Sequence, residues 1–179
     1  RGGQGLPEGF PSITSREFEL TPGQRPIVMR TFLQEAGTHA ILVGFPAGVH
    51  LAYDGRECRP AVAWKGRFFD AYGTWFVRSA PFEKPLGEAV VKWPAPAGPP
   101  GSRRFDGYRL DAAGVPTFLF SLDGVPVEER FEAIENGLHR SIRWDVEALR
   151  SLALTHPDGV TVREELSSHA GKLDFIYTW

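Results

Sequence analysis

The feature that most limits what this chain can fold into is its hydrophobic period. Apolar side chains recur at every second position in short runs, and glycine, proline, Asp-Gly and Asn-Gly break the runs. Period two places alternate side chains on opposite faces of a strand, whereas a surface helix needs a period near 3.6. Ile27, Met29, Thr31 and Leu33 share one side of a run from Arg25 to Leu33, and Ile41, Val43 and Phe45 share one face of His39 to Phe45. Val49, Leu51 and Tyr53 follow, then Val62 and Trp64 within Pro60 to Lys65. Further strands are predicted over Arg67 to Ala71, Glu88 to Trp93, Arg104 to Asp111 with a bulge at Gly107, Val115 to Leu122, Val125 to Ala133, Leu138 to Trp144 and Lys172 to Trp179. Leu149 to Thr155 and Val160 to Leu166 read as a hairpin about His156-Pro157-Asp158-Gly159.

Three dipeptides mark tight hairpins: Asp54-Gly55, Asp123-Gly124 and Asn136-Gly137. A two-residue turn of this kind needs positive φ at both central positions, which these residues tolerate. The one helical signal is Asp145 to Leu152, with Asp145 as cap and Val146, Leu149 and Leu152 on one side. Many short strands without crossover helices predict an all-β fold, an antiparallel β-sandwich of ten to twelve strands with little helix. Residues 1–24 are expected to form an extended N-terminal segment, and residues 25–179 a single sandwich domain with a Pro/Gly-rich loop at 94–102. The glycine-rich start, Arg1 to Gly5, fits a tether that follows a removed signal or lipid-anchor segment.

Charge and motif content narrow the chemistry. The formal net charge is −2 with both signs interspersed, unlike the basic footprint of a nucleic-acid binder, so no nucleic-acid partner is expected. No apolar run approaches the roughly 20 residues a membrane helix needs, and the longest, Ala40 to Phe45, is strand-sized. Cys58 stands alone, which rules out an intrachain disulfide and a thiolate metal cage and leaves it the role of a small buried hydrophobe. His39, His50, His139, His156 and His169 show none of the close spacings of zinc sites. No Gly-x-Ser-x-Gly elbow, phosphate loop or dinucleotide fingerprint occurs. Asp54, Asp70, Asp106 and Asp111 lie near strand ends, where paired acids would have to sit for glycosidic chemistry, but Asp54 and Asp111 are better explained as turn formers. No catalytic residue, cofactor or metal is assigned.

The most distinctive stretch runs from Trp64 to Trp75 and gathers large aromatics, two cations and an acid around two glycines. Aromatic and Arg side chains dominate binding hot spots, so Trp64, Arg67, Phe69, Asp70, Tyr72 and Trp75 are the candidate partner-binding residues. The plainer reading is core packing plus one Arg–Asp pair.

Several segments also resemble a known module. Arg25 to Phe32, Val43 to Asp54 and Trp64 to Asp70 look like a β-rich module of secreted bacterial proteins, where it accompanies c-type cytochrome and sorbosone-dehydrogenase-like domains. Pro85 to Gly87, Phe105 to Leu110 and Pro116 to Phe118 extend the likeness, which covers most of residues 25–132. The chain departs from those proteins in having no Cys-x-x-Cys-His haem-attachment motif. The resemblance implies a periplasmic or extracellular accessory subunit, working beside a c-type cytochrome or a membrane-bound photosynthetic or respiratory electron-transfer complex. The alternative is a carbohydrate-binding or carbohydrate-processing sandwich, with Tyr72 and Trp75 as a stacking platform beside Asp70.

Overall fold

Alternating runs can bury their apolar faces only against another layer, and the computed structural model shows how the layers are made. It describes residues 18–96, 102–148, 152–165 and 171–179. Most of the expected N-terminal segment, and residues 97–101 of the Pro/Gly-rich loop, lie outside these. Among the described residues the strands are β1 (Glu19–Leu20), β2 (Ile27–Leu33), β3 (Gly37–Gly44), β4 (Val49–Asp54), β5 (Arg59–Lys65) and β6 (Phe69–Asp70); the helix α1 (Tyr72–Phe76) follows. The chain continues through β7 (Glu88–Lys92), β8 (Arg103–Leu110), β9 (Pro116–Leu122), β10 (Val125–Ile134), β11 (Gly137–Trp144), β12 (Thr161–Glu165) and β13 (Lys172–Thr178). The fold is all-β, as the period predicts, and every strand pair is antiparallel.

Two sheets carry the architecture. One has the order β2-β3-β4-β5-β7 and the other β12-β13-β11-β10-β9-β8. Ile41, Val43, Leu51, Tyr53 and Trp93 from the first meet Phe118, Phe120, Phe131, Ile142 and Tyr177 from the second in one buried cluster. The Tyr53 and Phe118 rings stack there with centroids 3.9 Å apart. Since that core draws on strands from both sides of the 94–102 loop, the two halves share their main apolar burial.

The five-stranded sheet is covered on its other face too. A small third layer, made of the β1–β6 pair and α1, lies over Leu42, Ala52, Val62 and Trp64. This explains why β4 is buried along its whole length instead of alternating. Val49, Leu51 and Tyr53 face the second sheet, while His50 and Ala52 face the third layer. By contrast the outer face of the six-stranded sheet is polar and bears ion pairs: Arg109–Glu128, Arg130 with Asp111 and Glu132, and Lys172–Asp174. The pairs open to water contribute at most about 1 kcal/mol each, so they mark a solvated face more than a source of stability, whereas Asp174 is only 6% exposed and its pair is partly desolvated.

The turns show where local chemistry prevailed and where it did not. Asp123 and Gly124 both have positive φ, +50° and +84°, and join β9 to β10 as the two-residue signal predicts. Gly107, at φ +114°, marks a shift of register between β8 and β9, the predicted bulge. Asp54-Gly55 is not a two-residue turn. β5 begins only at Arg59, the Asp54 carboxylate accepts the Arg56 and Glu57 amides, and Cys58 takes the left-handed conformation at φ +49°. The Asn136-Gly137 turn is shifted by one residue: Gly137 pairs with Ile134, so Glu135 and Asn136 form the loop. Gly137 serves a different need, because a Cβ there would lie 1.8 Å from the Tyr177 carbonyl oxygen of β13. The hairpin expected over 149–166 does not form, since 152–158 are outside any strand and β12 pairs with β13 instead. Of the expected helix from Asp145, residues 145–148 form a turn, with Asp145 accepting the Glu147 amide, and residues 149–151 lie outside the described residues.

Candidate functional site

The Trp64–Trp75 segment builds the third layer, and this divides the six candidate residues. Gly66, at φ +87°, reverses the chain after β5. The Trp64 indole nitrogen then donates to the carbonyls of Arg67 and Phe68, both at 3.0 Å, and the Phe68 ring stacks parallel to Trp64 at 6.0 Å. Phe68 lies so close over Gly44 that a Cβ on Gly44 would be 2.8 Å from its ring. Trp64 and Phe69 are thereby fully buried and hold the layer down from within. Arg67 clamps β1 through a two-toothed ion pair with Glu19, its Nη2 2.6 Å from Oε2, and this hydrogen bond holds the Glu19 carboxyl below its ordinary pKa. One oxygen of Asp70 accepts both the Phe18 and the Tyr72 amides at 2.8 Å, tying the entry of β1 to the start of α1. One Asp70 oxygen is therefore engaged by the backbone of Phe18 and Tyr72. Tyr72 is half-buried against Phe76. Of the six, only Trp75 is a well-exposed aromatic, with 51% of its surface open.

Trp75 has neighbours that the sequence reading did not single out. Phe18 lies 5.3 Å from the Trp75 ring and 5.9 Å from Phe76, and Phe76 is 57% exposed. Val77 follows, also exposed. Across a shallow depression lined by Thr74, Val77 and Pro81 stands Phe32, stacked on Phe82 at 5.7 Å, and both of these rings are exposed. Phe18, Trp75, Phe76 and Val77 thus form an exposed apolar face of the third layer, and the Phe32–Phe82 pair, with Phe32 on the edge strand β2, stands across the depression from it. A signal existed for part of it: Trp75-Phe76-Val77 are consecutive, and a helix one turn long cannot bury three adjacent large side chains on one side.

Beside this face is a groove of about 450 Å³, where the edge of the five-stranded sheet parts from β8. It is lined by Arg30, Phe32, His39, Ile41, Gly55 and Phe105, with threonines at 31, 38 and 74. The Thr31 and Thr74 hydroxyls meet at 2.9 Å, and Thr38 Oγ1 lies 3.0 Å from His39 Nδ1.

A third polar constellation is internal. Glu129 of β10 and Arg140 of β11 are 1% and 3% exposed, with Arg140 Nη2 2.6 Å from Glu129 Oε1. Tyr53 donates to the other Glu129 oxygen at 2.8 Å, Arg140 also donates to the Tyr177 hydroxyl at 3.2 Å, and His156 Nδ1 lies 3.0 Å from that hydroxyl. Burial opposes the Arg140 charge, but Glu129 and Tyr177 outweigh it and hold its pKa above the ordinary value. Burial, with the Glu129 charge adding to it, pushes the Tyr53 hydroxyl well up. The space beside this cluster is about 10 Å³, at the limit for one water, so it has no room for a substrate. It is a cross-sheet polar clamp. Nearby Cys58 is buried, and burial pushes its thiol up to about 12, which removes thiolate reactivity.

Of the remaining histidines, His169 lies outside the described residues, and His50 and His139 take structural partners. His50 is buried between Trp64 and Phe68 with Nε2 2.8 Å from the Gly66 carbonyl, and His139 lies 3.1 Å from Asp174. No group of three or more His, Cys, Asp or Glu among the described residues is arranged to hold a metal ion. No helix of the described residues is long and apolar enough to cross a membrane. Comparison with protein-family profiles, curated proteins and solved structures finds no match to this chain.

Proposed function

We propose that this is an accessory docking domain, without catalytic machinery of its own, that binds a partner protein through the aromatic face of its third layer. The observation that carries the reading is the exposure of Phe18, Trp75 and Phe76, with Phe18 in ring contact with both others, and of the stacked Phe32–Phe82 pair across the depression from Val77. Apolar patches of this kind on a folded domain mark interaction surfaces, since leaving them in water forfeits burial worth about 25 cal/mol per Å². Phe18 packs against both Trp75 and Phe76, and Phe82 braces Phe32, while Trp64, Phe68 and Phe69 are buried in the same layer. The resemblance in residues 25–132 supplies the partner class: a c-type cytochrome or another subunit of an electron-transfer complex, outside the cytoplasm. On that reading the domain stabilises or orients the assembly.

The test is co-purification of the tagged domain from native membranes, with haem staining of whatever accompanies it. A haem-bearing partner is expected with the parent chain. Phe76→Ser and Trp75→Ser, which leave the buried underlayer intact, are expected to weaken the complex about 30-fold or more, as for a hot-spot residue. Recovery as a free monomer with no cytochrome refutes the partner class. Undiminished binding by both variants refutes the surface.

A further inference from the structure

We propose that the groove between the edge of the five-stranded sheet and β8 is a small-molecule site for an organic carboxylate with an apolar body. Its volume, about 450 Å³, falls within the roughly 300–1,000 Å³ typical of ligand sites. The floor is Ile41 and Phe105, kept open by Gly55, where even a Cβ would stand 3.5 Å from both side chains. The Gly55 amide donates to the His39 carbonyl at 3.0 Å, which pins the floor in place. One wall is Phe32, braced from behind by Phe82 with the rings 20° from parallel. An apolar body is therefore offered a flat, mainly apolar cleft rather than a polar one.

The charge content defines the other end of the ligand. No Asp or Glu lines the groove, and Arg30 is its one permanent charge. Arg67, Arg104, Arg109, Arg130, Arg140 and Arg163 are each paired with a carboxylate of the chain. Arg30, among the described residues, is not, and neither are Arg25, Arg56, Arg59, Arg78, Arg103 and Arg143; what sets Arg30 apart is its place on this mainly apolar groove. A guanidinium fork matches a carboxylate with two parallel hydrogen bonds, and one such group suits a monoanion better than a phosphate, which draws several cations. The His39 Nε2 also has no partner among the described residues, and with the Thr31–Thr74 hydroxyl pair it offers further hydrogen bonds along the same rim.

Isothermal titration and amide chemical-shift mapping with 4-phenylbutyrate and its neutral analogue 4-phenyl-1-butanol test the assignment on the whole chain. The carboxylate is expected to bind at least tenfold more tightly than the alcohol and to shift the amides of residues 30–32, 38–41, 55 and 105. Arg30→Gln changes an exposed side chain and is expected to bring the carboxylate down to the level of the alcohol while leaving the alcohol unchanged. Phe32→Ser is expected to weaken both. Trp75→Ser, which lies outside the groove, is expected to change neither, so failure here is distinguishable from failure of the docking surface. Equal binding of acid and alcohol, insensitivity to Arg30→Gln, or no shift at these amides with millimolar probe overturns the proposal. So does Phe32-dependent binding of neutral saccharides with no binding of the carboxylate.

Discussion

Replacement of Glu129 by Gln keeps the shape of the side chain and removes its charge, which isolates what the buried clamp contributes. In the parent chain the carboxylate receives Arg140 at 2.6 Å and the Tyr53 hydroxyl at 2.8 Å, and neither charged partner has appreciable contact with water. The variant leaves the Arg140 guanidinium buried with only neutral acceptors, the amide oxygen of the introduced glutamine, the Thr155 carbonyl and the Tyr177 hydroxyl. Breaking a buried pair by removing one partner costs about 3–5 kcal/mol, because the surviving charge stays desolvated. For a chain of this size each 1 kcal/mol lowers Tm by about 2–4 °C, so a fall of roughly 6–20 °C is expected. Arg140→Met should cost a similar amount, since it strands the Glu129 carboxylate. The double variant Glu129→Leu, Arg140→Met should recover most of the loss, because replacing both ions by apolar groups removes the desolvation penalty together with the attraction. The assay is urea unfolding followed by tryptophan fluorescence, closed as a double-mutant cycle with the single variants Glu129→Leu and Arg140→Met. Single variants within about 1 kcal/mol of the parent, or a double variant as unstable as the sum of the singles, would refute the view that this pair is a coupled, desolvated unit.

Two further outcomes follow from buried titratable groups. Burial lowers the pKa of His50 and of His156, the latter further depressed by Arg140, so the unfolded chain takes up protons first as pH falls. Stability should be complete above the unfolded histidine value of about 6.5 and decline as pH drops toward the lowered folded values. In His50 the Nε2–H donates to the Gly66 carbonyl, and protonation would add a proton at the buried, unpartnered Nδ1. His50→Gln with His156→Gln should flatten the stability profile below about pH 6.5, and an unchanged slope would contradict this assignment. Cys58, with its thiol held up to about 12 and its side chain enclosed, should resist a thiol reagent at pH 8 in the native protein and react at full stoichiometry in denaturant. Rapid native labelling would show that the β4–β5 loop opens locally.

Local pattern was sufficient for the all-β class, for the approximate position of most strands and for the tight turn at Asp123-Gly124, since these depend on period and on φ preferences within a few residues. For the buried clamp it held only a partial signal. Glu129 lies between Val127 and Phe131, and Arg140 between Leu138 and Ile142, each charge on the apolar side of its strand. Opposite charges at inward positions of adjacent strands announce a pair, but only if the two strands are known to be neighbours in the right register, and that depended on the Glu135-Asn136 turn.

What the tertiary structure alone decided is which faces meet water. The motif from Trp64 to Trp75 looks uniform along the chain, yet Gly66 folds it back over Gly44 so that Trp64 and Phe69 become core while Trp75 stays outside. No local rule separates these aromatics, because their burial depends on a third layer contributed by residues some fifty positions earlier in the chain, as the 52-residue span from Phe18 to Asp70 shows. The groove is likewise assembled from β2, β3, the loop after β4 and β8, which sequence spacing does not bring together. Period dictates that a strand has two faces, whereas the covering of each face is a property of the other layers it packs against.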